Sequence, residues 1–124
     1  MRKAVSTNYA SIGSGPYSQG IAAGNMLFVS GQGPLAPDGR IVSGDIEAET
    51  RLTMDNIQAI VEAGGCTMDD VVKVTVFLAD LSDFDRFNEV YKTYFKAPYP
   101  ARTCVEAGLD GIKVEIDAIA CKPD

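Results

Sequence analysis

"RTCVEAGLDGIKVEIDAIAC", Arg102 to Cys121, is the stretch on which the fold turns. Both halves are rich in β-branched and apolar residues, and "GLDG", Gly108 to Gly111, supplies a permissive backbone between them. The pattern predicts a hairpin. In its second strand Val114, Ile116, Ala118 and Ala120 share one face, with Glu115 and Asp117 on the other. If Ala107 stands opposite Ile112, then Cys104 faces Glu115 and Arg102 faces Asp117, all on one surface. A slip of one residue sets Arg102 against Ile116 instead, so this placement depends on register.

Before the hairpin, a helix is expected from near Ser82, with Ser82 and Asp85 resembling a capping box. Phe84, Phe87, Tyr91, Tyr94 and Phe95 form its apolar stripe, and Pro98 and Pro100 end it. "VVKVTVFLAD", Val71 to Asp80, reads as a strand. Val72, Val74, Val76 and Leu78 take one face; Lys73, Thr75 and Phe77 take the other. A longer helix is expected from about Asp45 to Ala63. Met54, Ile57, Ile60 and Val61 point inward, Glu47, Glu49, Arg51 and Asp55 face water, and Gly64-Gly65 stops it. "YSQGIAAGNMLFVSGQ" reads as two strands about Gly24-Asn25, and Asp38-Gly39 marks another turn.

The resulting order is β-β-α-β-α-β-β. It predicts an α+β fold, one sheet with two helices on one face. Nothing in the chain looks like a linker or repeat, so residues 1–124 read as one domain. The second sheet face carries Phe77, Ile119 and Cys121 and has no helix left to cover it. Another subunit is the expected cover.

Composition narrows the function. The net charge is -6 and the sequence pI is about 4.5, which disfavours nucleic-acid binding through clustered Lys and Arg. No apolar run approaches the ~20 residues that cross a bilayer, and "MRKAVSTNYAS" lacks the apolar core of a signal peptide. The three cysteines, Cys66, Cys104 and Cys121, are odd in number and widely spaced, which fits reduced thiols in a cytosol. The chain has no histidine, which removes the usual general base, the common nucleophile pairs and the commonest zinc ligand. No CxxC or HExxH spacing is present, so no metal is expected.

Arg102 then admits two readings. It is a solvated cross-strand partner of Asp117, or it is a two-pronged clamp for a carboxylate, a task to which lysine is geometrically unsuited. Tyr17 in "GPYSQG", Ser30 and Gly31 inside a strand, Asn88 on an aromatic helix and Cys104 are each weak signals alone.

Taken together and in order, "GPYSQG", "GNMLFVSGQ", "TMDNIQAIVEAGG", "VVKVTVFLADLSDF", "YPARTCVE" and "KVEIDAIA" resemble the Rid (reactive intermediate deaminase, YjgF-like) family over nearly the whole chain. The resemblance implies a chorismate-mutase-like fold and a homotrimer with ligand clefts between subunits. It implies hydrolysis of 2-iminobutanoate, 2-iminopropanoate and their enamine tautomers to 2-keto acids and ammonia, without a cofactor. Carried over by position, Arg102 grips the substrate carboxylate and Glu115 positions water. Tyr17, Ser30, Gly31 and Asn88 line the cleft, and Cys104 acts mainly through its backbone. A non-catalytic module for small carboxylates is the alternative. An RNA-directed activity, a label some family members carry, sits poorly with the acidic chain.

Overall fold

The computed structural model describes residues 1–123. In chain order the elements are β1 (Arg2–Val5), β2 (Gly20–Ala23), β3 (Met26–Gln32), α1 (Ile46–Ala63), β4 (Val71–Leu78), α2 (Phe84–Tyr91), β5 (Ala101–Glu106) and β6 (Val114–Cys121). The strands form one sheet in the order β1-β2-β3-β6-β4-β5. The α+β layering expected from the pattern is present, with β1 as an additional strand at one edge.

The expected terminal hairpin is not. β6 runs antiparallel between β3 and β4, and β5 lies on the far side of β4, parallel to it. The reason lies in α2. A strand, a helix and a strand in succession make a crossover unit, and such a crossover lays its second strand parallel to its first. β6 then fills the gap between β3 and β4, where neighbours on both sides satisfy its backbone groups. Two bonds fix the join: Ala107 N–H donates to Leu78 O, and Ala79 N–H donates to Lys113 O.

The helices cover the face that carries Leu27, Val29, Val74, Val76, Leu78, Val114, Ile116, Ala118 and Ala120, all buried. Met54, Ile57, Ile60 and Val61 from α1 and Phe87 from α2 complete this core. Each such large side chain removed from water contributes roughly 1.5–3 kcal/mol. The opposite face has no helix. Phe28 there remains 44% exposed and Val105 40% exposed, beside the half-buried Phe77, Ile119 and Cys121.

Local expectations were met unevenly. α1 begins where expected, with Asp45 Oδ1 accepting from Ala48 N–H at 2.8 Å, and Gly65 leaves it at φ +85°. Glu49, however, is buried rather than solvated. Its carboxylate accepts from the Lys113 and Gly44 backbone N–H groups and pairs with Lys113 Nζ at 3.3 Å. Val72 does not share the Val74 face. A bulge between Val71 and Lys73 turns it outward and puts Val71 in the core. The Ser82–Asp85 capping box does not form, because Asp80 caps this region instead, accepting from Ser82 N–H at 2.9 Å.

Candidate active site

Paired residues in a sheet share a face. Arg102 pairs with Val74 and Cys104 with Val76, so both point to the helix side. Glu115 pairs with Phe77 and Asp117 with Thr75, so both point to the open side. The Arg102–Asp117 ion pair considered from the sequence is therefore excluded by topology.

α2 places Phe84, Asn88 and Tyr91 on one stripe, with Phe87 beside them. Arg102 reaches into that stripe. Its Nη1 donates to Asn88 Oδ1 at 2.8 Å, and its Cζ lies 4.8 Å from the Tyr91 ring centroid, 5.5 Å from that of Phe84 and 5.8 Å from that of Phe87. Among the described residues no carboxylate pairs with it. A cleft of about 340 Å³ opens here, lined by Asn88, Tyr91, Lys92, Tyr99, Pro100 and Arg102. Cys104 is half-buried. Burial pushes its thiol up, and the opposing pull of Arg102 is smaller. Such a thiol stays protonated near neutral pH and makes a poor nucleophile.

The other residues gather in a second cleft, of about 370 Å³, lined by Tyr17, Ser30, Gly31 and Glu115. A bulge in β3 builds it. Val29 pairs with Ala118 and Gln32 with Ile116, so Ser30 and Gly31 together span the room of one residue. Ser30 is stitched to the preceding loop: its Oγ donates to Ser18 O at 2.6 Å and its N–H to Gln19 O at 2.9 Å. Glu115 lies against Gly31, where a Cβ would stand 2.8 Å from Oε2. Burial, and secondarily the nearby Asp117, push the Glu115 carboxyl up from 4.5. Tyr17 is held by its own loop. Its ring packs on Gly13 (φ +76°) and Gly15, and its hydroxyl accepts from Ser14 N–H at 3.3 Å. A smaller hollow of about 90 Å³, sharing Tyr17 and Gly31, continues toward Ser11, Gln32 and Leu35.

The structure thus brings Arg102 and Asn88 together on one face, with Cys104 alongside. It brings Tyr17, Ser30, Gly31 and Glu115 together in a cleft elsewhere on the chain. It does not join the two groups within one subunit. Sequence reasoning missed the aromatic setting of Arg102, although the spacing of 84, 88 and 91 put those side chains on one helical stripe. Among the described residues no three Cys, Asp or Glu side chains gather as metal ligands would.

Known proteins resemble this chain over nearly its whole length. A family model described as endoribonuclease L-PSP matches residues 8–122. A RutC family protein of Pyrococcus horikoshii is 48% identical over 98% of this chain and 99% of its own. A 2-iminobutanoate/2-iminopropanoate deaminase of Escherichia coli is 43% identical over 98% of this chain and 99% of its own. Among solved structures, E. coli TdcF with bound serine superposes with a TM-score of 0.91 at 42% identity, covering 98% of this chain and 99% of that one. Yeast Mmf1 superposes at 0.94 with 35% identity, covering 99% and 100%. With the sheet and helices described above, these likenesses establish the chorismate-mutase-like fold.

Proposed function

This chain belongs to the endoribonuclease L-PSP (Rid/YjgF) family, and on that premise we propose that it is a deaminase, hydrolysing 2-imino acids such as 2-iminobutanoate and 2-iminopropanoate to 2-keto acids and ammonia. Arg102 carries the reading. It is a permanent cation on the wall of a cleft, with no carboxylate partner among the described residues. A planar guanidinium in that state is suited to a bidentate grip on a small acid. The relative named as a 2-iminobutanoate/2-iminopropanoate deaminase and the relative crystallised with serine support the same class of ligand.

A protonated imine carbon is already electrophilic, so the residues need only place and deprotonate water. Arg102 holds the carboxylate. Glu115 holds a water against the C=N carbon and takes one of its protons as the C–O bond forms, while the C=N electron pair goes to nitrogen. That proton then passes to the nitrogen. The adduct's O–H bond breaks as the C=O forms, its proton going to Glu115, while the C–N pair leaves with nitrogen; Glu115 hands this second proton to the departing ammonia, which leaves as ammonium with Glu115 ionised again. Orientation of the water supplies several kcal/mol of the acceleration, and base assistance ~10²–10⁴-fold. Tyr17, Ser30, Gly31 and Asn88 shape the site, and Cys104 contributes backbone.

Because Arg102 and Glu115 point to opposite sheet faces, the complete site forms between subunits. A homotrimer that closes the open face over Phe28, Phe77 and Val105 is the assembly this reading uses.

The test couples a serine or threonine dehydratase, which releases the enamine, to this protein and follows keto-acid formation. Wild type is expected to accelerate that step and Arg102→Ala to lose the acceleration. Arg102→Lys is also expected to lose most of it, since the fork is gone. Equal acceleration by wild type and Arg102→Ala overturns the proposal.

A further inference from the structure

We propose that Tyr91 is a positioning residue for Arg102: its ring face seats the guanidinium and leaves the outward N–H groups free for the ligand's carboxylate. The proposal rests on the reading of Arg102 as the clamp.

A guanidinium on a strand needs something to hold it. An aspartate or glutamate would orient it but would also neutralise it and compete with the ligand. The seat here is made of π faces and one neutral amide. Tyr91 is the nearest ring, at 4.8 Å from Cζ, well inside cation–π range. Phe84 at 5.5 Å and Phe87 at 5.8 Å complete the wall, and Asn88 takes one N–H. The Tyr91 ring is itself immobilised, packed between Phe87 at 5.5 Å and Phe95 at 5.1 Å between centroids.

The Tyr91 hydroxyl adds a second observation. It is buried and has no hydrogen-bond partner among the described residues. An unpaired buried hydroxyl is unfavourable for stability, so it does not explain the residue's place. Burial also pushes its pKa up to about 12 against the smaller opposing effect of Arg102. The phenol therefore stays neutral at working pH and never competes as an anion for the guanidinium. What Tyr91 offers Arg102 is the face of its ring.

Three variants separate ring from bulk: Tyr91→Phe, Tyr91→Leu and Phe84→Leu, each read in the full-length protein. One readout is the Arg102 Nε–H resonance in ¹⁵N NMR, which the rings shift by their currents. The other is the Kd for 2-oxobutanoate, with kcat and KM for the coupled imine reaction. Tyr91→Phe keeps the ring and is expected to retain the ring-current shift, with Kd and KM nearer wild type than those of Tyr91→Leu. Tyr91→Leu is expected to lose the ring-current shift and to raise Kd and KM by about 3–30-fold with kcat less affected. In an Arg102→Ala background, Tyr91→Leu is expected to add nothing further. Should Tyr91→Leu fail to fold, Phe84→Leu, on a residue outside the buried core, is expected to show the same signature at about 2–5-fold. An unchanged resonance and Kd in the folded variant overturn the proposal, as does an equal penalty in the Arg102→Ala background. If the resonance shifts as expected but wild type binds no 2-oxobutanoate, the clamp reading fails while the aromatic seat stands.

Discussion

The Glu115 carboxylate rests against the Cα of Gly31, leaving no space for even a methyl group between them. Gly31→Ala must therefore push Glu115 aside. With Glu115 positioning water as proposed, displacing its carboxylate by about 1 Å is expected to cost on the order of 10²-fold in kcat. The fold, anchored by β6 in the sheet centre, should melt near the wild-type temperature. Steady-state kinetics beside a thermal melt separates the two effects, and a variant with full kcat would remove Glu115 from the reaction.

The raised Glu115 pKa gives a pH signature. As the proposed base, Glu115 works only when ionised, so activity is expected above its pKa and lost as pH falls through it. Burial and Asp117 lift that pKa above 4.5, which moves the acid limb of kcat/KM upward from the ordinary carboxylate range. Asp117→Asn removes the smaller of the two causes and should move the limb downward. Glu115→Gln should abolish the limb along with most of the rate. The chain has no histidine to produce a competing limb.

Arg102 and Glu115 leave the sheet on opposite sides, which makes a mixing experiment decisive. Arg102→Ala and Glu115→Gln are each expected to be nearly inactive alone. Co-refolded in equal amounts, they should recover about a quarter of wild-type activity, from interfaces that receive one intact residue from each chain. No recovery would place both residues in a site formed by one subunit.

Glu49 is a stability prediction. Its buried carboxylate holds the backbone of Lys113 and Gly44 as well as Lys113 Nζ. Glu49→Ala leaves the Lys113 N–H unpaired and should destabilise by about 2–4 kcal/mol in urea unfolding, with Glu49→Gln costing less. Gly64→Ala is a packing counterpart. Its Cβ would meet Leu27 Cδ2 at 2.5 Å, and overpacking of that kind costs about 1–3 kcal/mol.

Much of the architecture was legible because periodicity encodes burial. Met54, Ile57, Ile60 and Val61 repeat at helical spacing, and Val114, Ile116, Ala118 and Ala120 at strand spacing, and each set is buried as read. Strand partners were legible only where a tight turn joins them, as Gly24-Asn25 joins β2 to β3. Alternation says which face a residue takes but not which neighbour it meets, so Arg102 and Asp117 looked like a pair when β4 stands between their strands. Glu49 was misread for a related reason: a carboxylate on a helix reads as solvated until the distant Lys113 backbone is seen to claim it. The short β1 carries too few residues to show a period. Arg102 stood out as a clamp from its own chemistry and the other candidates as weak signals; the family resemblance assigned their roles, and only the fold sorts them into two clefts.

The strand at the centre of the sheet is the last of the six to leave the ribosome. Until β6 exists, β1-β2-β3 and β4-β5 are two separate ribbons whose facing edges have nothing to bond. Nascent ribbons with open edges are what chaperones hold and what aggregates consume. Folding therefore waits for translation to pass Cys121, and a message cut before Val114 should yield unstructured chain rather than a weakened version of the protein.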